Sequence, residues 1–216
     1  MQADLTPPDC EQAPAPNRRD RRRDAILAVA SEVFFEEGYA AASMSTIAAR
    51  LGGSKATLYN YFPSKEALFE AHVRQQCANF AEGLLEFPDD RPAAQVLAEF
   101  GERFLQHLLS DWPVRTVQIS DAEARRTPEL ARLFYDVGPA VGLERLQRYL
   151  EEAKVRGMVN PPDCALAASQ FMSLCRGKWH LISVLNLGET PSPQVIAEEV
   201  ASAVALFMAR YGAKGV

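Results

Sequence analysis

Between Ser43 and Phe62 the chain reads SMSTIAARLGGSKATLYNYF, and no other stretch limits the fold so tightly. Met44, Ile47, Ala48 and Leu51 recur at spacings of three and four, which lines one side of a helix. Ser43 is placed to cap that helix, because its hydroxyl can accept from the unpaired N–H groups of the first turn. Gly52 and Gly53 stop it, since glycine enters the left-handed conformation without steric cost. Ser54 then caps a second helix whose buried side is Leu58 and Phe62. Two helices joined by a short glycine-bearing turn form a helix-turn-helix unit.

The residues opposite Leu58 and Phe62 are Lys55, Thr57, Tyr59, Asn60 and Tyr61, and Lys65 follows just beyond. They supply cations, hydroxyls and an amide, with no carboxylate to repel phosphate. Lysine neutralises phosphate, while Asn, Thr and Tyr can bond phosphates or base edges. Ser43 and Ser45, at the start of the first helix, complete the candidate DNA-binding set. Helical hairpins of this kind also occur as plain packing, so the pattern by itself leaves both readings open.

The run ILAVASEVFFEEGYAAASMSTIAARLGGSKATLYNYFPSKEALFEA decides between them. It resembles the N-terminal DNA-binding domain of the TetR family of bacterial regulators, over about Arg22 to Val73. The resemblance rests on F-x-x-x-G-Y, S-M-x-x-I-A and S-K-x-T-L-Y-x-Y-F-x-S-K-E-x-L-F. It implies DNA binding at a palindromic operator and a helical domain behind it that takes a small molecule. Gly53 departs from the family pattern, which usually has Val packed between the two helices. The departure implies a looser turn. The run from Ala124 to Gly138-Pro139 is similar, more loosely, to the C-terminal domains of the AefR-like branch, which fixes no ligand.

A net charge of −5 looks unsuited to a DNA binder, but the charge is unevenly placed. From Arg18 to Arg74 there are nine Lys or Arg against seven Asp or Glu, a local +2, which leaves −7 for the remainder. Local sign governs what meets phosphate. No apolar run reaches the ~18 residues of a membrane span. The N-terminus carries no visible secretion signal, so the expected location is the cytoplasm. Cys10, Cys77, Cys164 and Cys175 show no C-x-x-C spacing and read as free thiols.

Along the chain, residues 1–17 read as a disordered tail, 18–75 as the helix-turn-helix domain, and 76–216 as a ligand-binding and dimerisation domain. Arg18, Arg19, Arg21, Arg22 and Arg23 form either a solvated helix start or an arm along the DNA. The first helix runs to about Glu37. The helix opening at Ser64-Lys65-Glu66 continues to about Glu86 and connects the two domains. Further helices are expected from Ala93 to Leu109, Val114 to Arg126, Thr127 to Val137, and Ala140 to Arg156. The last two run over 164–187 and 192–211. No β-alternation occurs, so the fold is all-α with about nine to ten helices: a three-helix N-terminal domain and a larger C-terminal bundle. The last two helices carry apolar residues on more than one face, and Phe207 and Val204 are expected in a homodimer interface they form.

In the larger half, the ligand-lining candidates are Phe104, His107, Leu108, Trp112, Gln118, Phe134, Phe171, Met172, Cys175 and His180. They combine apolar bulk with a few polar groups, as small-molecule sites do, although each alone also fits a packed core. Catalysis is not expected: His72, His107 and His180 lack metal-ligand spacing, and there is no nucleophile elbow or P-loop. No cofactor, metal or membrane partner is implied. The function expected is a repressor released from DNA by a small apolar or amphipathic effector. The alternative is a constitutive or architectural DNA-binding protein without an inducer.

Overall fold

A computed structural model describes residues 17–82 and 91–213. Residues 1–16 of the expected tail and the expected end of the connecting helix near Glu86 lie outside the described residues, while Asn17, the last residue of that tail, caps α1. Eleven helices run through the rest: α1 (Arg18–Glu37), α2 (Met44–Arg50), α3 (Lys55–Tyr59), α4 (Lys65–Glu82), α5 (Ala93–Leu108), α6 (Asp111–Glu123), α7 (Pro128–Val137), α8 (Pro139–Val155), α9 (Cys164–Arg176), α10 (Trp179–Val184) and α11 (Pro193–Tyr211). Among the described residues there is no strand, only an isolated antiparallel bridge between Val159 and Gly212.

The helix starts follow local chemistry. Asn17 Oδ1 accepts from the N–H groups of Arg19 and Asp20 at 2.8 and 3.0 Å, and the Asp20 carboxylate accepts from the Asn17 N–H at 3.3 Å. This capping box sets the arginine run as helix from its first residue, so it is not an extended arm. Ser43 and Ser54 each accept from the N–H three residues on, at 3.1 Å. Gly52 has φ +62, its N–H reaches the Ala49 carbonyl at 3.1 Å, and the Gly53 N–H reaches the Ala48 carbonyl at 3.2 Å. Those two bonds make a Schellman stop, so the turn with Gly53 is closed rather than loosened.

Two boundaries differ from expectation. α6 begins at Asp111, because Pro113 sits in the first turn, where a missing N–H leaves no helical bond unmade. The helix expected over 164–187 is broken after Arg176: Gly177 takes φ +48, and α10 restarts at Trp179. This break raises the helix number to eleven.

Two hydrophobic cores result. One joins α1 to α4 through Ile26, Phe34, Ile47, Leu58, Leu68 and Phe69, and extends to Leu130 of α7. The other joins α5, α8, α9 and α11 through Phe100, Leu146, Phe171, Val200 and Phe207. α5 and α11 pack closely: a Cβ at Gly101 would lie 2.7 Å from Val200 Cγ1. Phe207 and Val204 are 1% and 8% exposed, so both belong to this core and not to a subunit interface. The doubled apolar pattern of α11 reflects neighbours on two sides within one protomer. Exposed apolar side chains on these last helices include Leu166 and Leu174 on α9, Leu181, Leu185 and Leu187 on or just after α10, and Leu206 on α11.

Candidate nucleic-acid interface and ligand cavity

The helix-turn-helix leaves Ser45, Lys55, Thr57, Tyr59 and Asn60 exposed to solvent. α3 is short, so Asn60 and Tyr61 lie in the turn beyond its last residue. Ser43 is used internally, holding the start of α2 and lying 2.9 Å from the Thr46 hydroxyl. Tyr61 is half-buried against the N-terminal core rather than fully outward. Lys65 is also engaged: Nζ donates to the Tyr39 carbonyl at 2.7 Å and lies 4.2 Å from the centre of the Tyr39 ring. The Tyr39 hydroxyl in turn donates to Glu66 at 3.2 Å. Arg50, at the end of α2, is paired with Glu36 and Glu37. The charge-bearing groups of α1 were only grouped by the sequence. Arg23 lies over the Phe62 ring at 5.3 Å, and Arg22 lies beside Gly53.

α4 opens at Ser64, whose hydroxyl accepts from the Ala67 N–H at 3.2 Å, and its first half packs in the N-terminal core. About two turns past Ser64, His72 is buried, and its Nε2 accepts from the Trp112 indole N–H on α6 at 2.8 Å. α6 also meets α1, where Arg115 lies 5.4 Å from the centre of the Phe35 ring. On the far part of α4, Phe80 stacks on His107 of α5, with ring centres 3.6 Å apart and planes 10° from parallel.

The rings of Phe80, His107 and Trp112 help wall a cavity of about 90 Å³. Six of the ligand-lining candidates, Phe104, His107, Leu108, Trp112, Phe134 and Met172, line it. The other four candidates do not. Phe171 is fully buried in the C-terminal core, packed against Phe207 at 5.3 Å. Cys175 is pressed toward Gly101 in the same core, and burial pushes its thiol up to about 12. Gln118 donates to the Val184 carbonyl at 2.8 Å and faces a separate open groove beside Tyr39. His180 lies on α10, with Nε2 buried and lacking a hydrogen-bond partner among the described residues.

The sequence reading missed Cys77 and Phe80 on α4, the corner Gly138-Pro139, Gly142, Arg145 and Arg176. The glycines were the available signal. A Cβ at Gly138 would meet Cys77 Sγ at 3.2 Å, so the α7–α8 corner approaches α4 only because that side chain is absent. Burial pushes His72 and His107 down to about 4, so both are neutral imidazoles at pH 7, and it pushes the Cys77 thiol up to about 11. The lining is therefore apolar and aromatic, with a neutral imidazole, a protonated thiol and two arginines. Among the described residues no carboxylate lines it. No group of three or more His, Cys, Asp or Glu among them is placed to hold a metal ion, and no described helix is long and apolar enough to cross a membrane.

Residues 26–72 match the family model for bacterial regulatory proteins of the tetR family, and residues 95–213 match that for the C-terminal domain of AefR-like transcriptional repressors. The chain is 30% identical over 162 residues to the HTH-type transcriptional regulator UidR of Escherichia coli, covering 72% of this chain and 78% of UidR. It is 38% identical over 93 residues to the HTH-type transcriptional activator FasR of Mycolicibacterium smegmatis, a match spanning 41% of this chain and 42% of FasR. The solved structure of the flavonoid-responsive regulator FrrA superposes with a TM-score of 0.79 at 35% identity, over 90% of this chain and 99% of that one.

Proposed function

The chain belongs to the TetR family of DNA-binding transcriptional regulators, and from that membership we propose that it is a repressor released from a palindromic operator by a small amphipathic molecule. One observation carries the ligand reading. The cavity shares its wall with the helix that leaves the DNA-binding domain, because Phe80 lines it from α4 and Trp112 lines it while bonded to His72 of α4.

Ligand pockets usually hold roughly 300–1,000 Å³, several times the volume present here. A ligand entering this space has to push its walls apart, and the aromatic contacts transmit that displacement to α4. In a dimer the two recognition helices sit about one DNA turn apart. A shift of α4 changes that separation and leaves one helix undocked. The coupling needed is modest, typically ~1–3 kcal/mol. The apolar lining suits a hydrophobic body, and Arg145 and Arg176 suit an acidic or phenolic group. The flavonoid response in the name of FrrA points in the same direction.

On the DNA side, Lys55, Thr57 and Asn60 are assigned to base edges, and Ser45, Tyr59, Tyr61 and Lys65, whose ammonium keeps donors beyond the one given to Tyr39, to the phosphate backbone; Ser43 is assigned to holding the start of α2. The dimer is assigned to α9, α10 and α11 through their exposed leucines. The repressor direction follows the AefR-like model, although FasR is named an activator.

The small cavity also favours a second reading, a regulator without an inducer. A thermal-shift panel of aromatic acids, phenols and their neutral counterparts finds ligands, because binding the native state raises the melting temperature. By linkage, DNA must weaken ligand binding by the factor by which ligand weakens DNA binding. Equal ligand affinity with and without saturating DNA would sink the induction model and leave the constitutive one.

A further inference from the structure

The buried stripe of α1, formed by Ile26, Leu27, Ala30, Val33 and Phe34, ends one turn before the helix does. Extended back by four residues, it falls on Arg22 and Arg23. At the edge of a core a long basic side chain can lay its stem over apolar surface and carry its charge outward. Arg23 places its guanidinium over the Phe62 ring. Arg22 reaches the turn between α2 and α3, where its Nη2 lies 3.3 Å from where a Cβ on Gly53 would stand.

Gly53 is not needed there for backbone conformation. Gly52 holds the positive φ of the turn, and Gly53 has none. What Gly53 supplies is space, which the guanidinium fills. The acids nearest in sequence are engaged elsewhere. Asp20 accepts from the Asn17 N–H, and Asp24 accepts from Gln75 at 3.2 Å.

We propose that Arg22, seated against Gly53, is a DNA phosphate contact placed at the edge of the groove entered by the recognition helix. In helix-turn-helix docking, the N-terminal residues of the recognition helix approach the base edges. Gly53 immediately precedes Ser54, the cap of that helix, so a cation held against it lies where the DNA backbone flanks the groove. The planar guanidinium suits a phosphate bidentately. The seat fixes the charge before DNA arrives, so less rotamer freedom is lost on binding.

The test compares Arg22→Gln with Gly53→Val and the double variant on a mixed-sequence DNA duplex, by fluorescence anisotropy over a salt series. Arg22→Gln is expected to lower the log–log salt slope by about 0.9 for each docked protomer, roughly 1.8 for the bound dimer, which is on the order of tenfold in affinity over a fourfold change in salt. Gly53→Val changes no charge, yet its methyl groups displace the guanidinium, so most of the same loss is expected. The double variant should be no weaker than Arg22→Gln alone. Thermal melts should stay near that of the wild type, because the atom displaced is the end of a flexible side chain; Gly53→Ala is the milder variant if valine disturbs the turn. A wild-type slope and affinity for Arg22→Gln would overturn the contact. Losses in Arg22→Gln with unchanged binding by folded Gly53→Val and Gly53→Ala would overturn the seat.

Discussion

The indole N–H of Trp112 donates to Nε2 of His72, so the neutral imidazole carries its own proton on Nδ1. This bond crosses from the cavity wall to the helix that carries the DNA-binding domain. Trp112→Phe keeps an aromatic ring in the wall and removes the donor. His72 Nε2 is then buried without a partner, at a cost of about 1–3 kcal/mol, measurable in urea unfolding. The same change should shrink the factor by which ligand lowers DNA affinity, with ligand binding itself largely kept. Undiminished coupling in this variant would show that the signal travels by another route, with the Phe80–His107 stack next in line.

Acid should destabilise the protein in a defined window. Burial lowers His72 and His107 from the usual 6.5 to about 4. Between those values the unfolded chain binds the protons and the folded chain does not. The stability this pair contributes is therefore fully present above about pH 6.5 and is lost as pH falls toward 4. Each such proton adds about 1.4 kcal/mol per pH unit to the slope. Replacing His107 by Phe keeps a ring against Phe80 and removes one of the two protons. Chemical denaturation from pH 7 to pH 4.5 should then show a slope shallower by up to one proton, and an unchanged slope would refute the assignment.

Leu206 and Phe207 are neighbours in sequence with opposite fates, 58% and 1% exposed. Leu206→Glu should leave the fold and its melting temperature nearly unchanged and shift the protein to monomers. Phe207→Glu buries a charge in the C-terminal core and should prevent folding. Light scattering with circular dichroism separates the two. A Leu206→Glu, Leu174→Glu double variant that remains a dimer would rule out this face as the subunit interface.

The sequence by itself determined the DNA-binding half, because its determinants are local. Ser43, Ser54 and the pair Gly52-Gly53 act within three or four residues, and the spacing of Met44, Ile47, Ala48 and Leu58 states which side is buried. The exposed side with Lys55, Thr57 and Asn60 follows by subtraction. It also determined the all-α class and most helix ends, since caps, prolines and glycines are read one turn at a time. Tertiary structure alone decided where apolar side chains point when several faces of a helix are apolar. Phe104 and Phe171 look alike in sequence and both are buried in the C-terminal core; the way α5, α8 and α9 pack lets only the first also line the cavity. It likewise decided that Val204 and Phe207 face inward, that α10 separates from α9 at Gly177, and that Lys65 is held by Tyr39. It brought Arg22 to Gly53, thirty-one positions apart, and His72 to Trp112, forty apart. Hydrophobic burial is non-directional, so periodicity marks that a face is buried without naming its partner; only the packed helices name it.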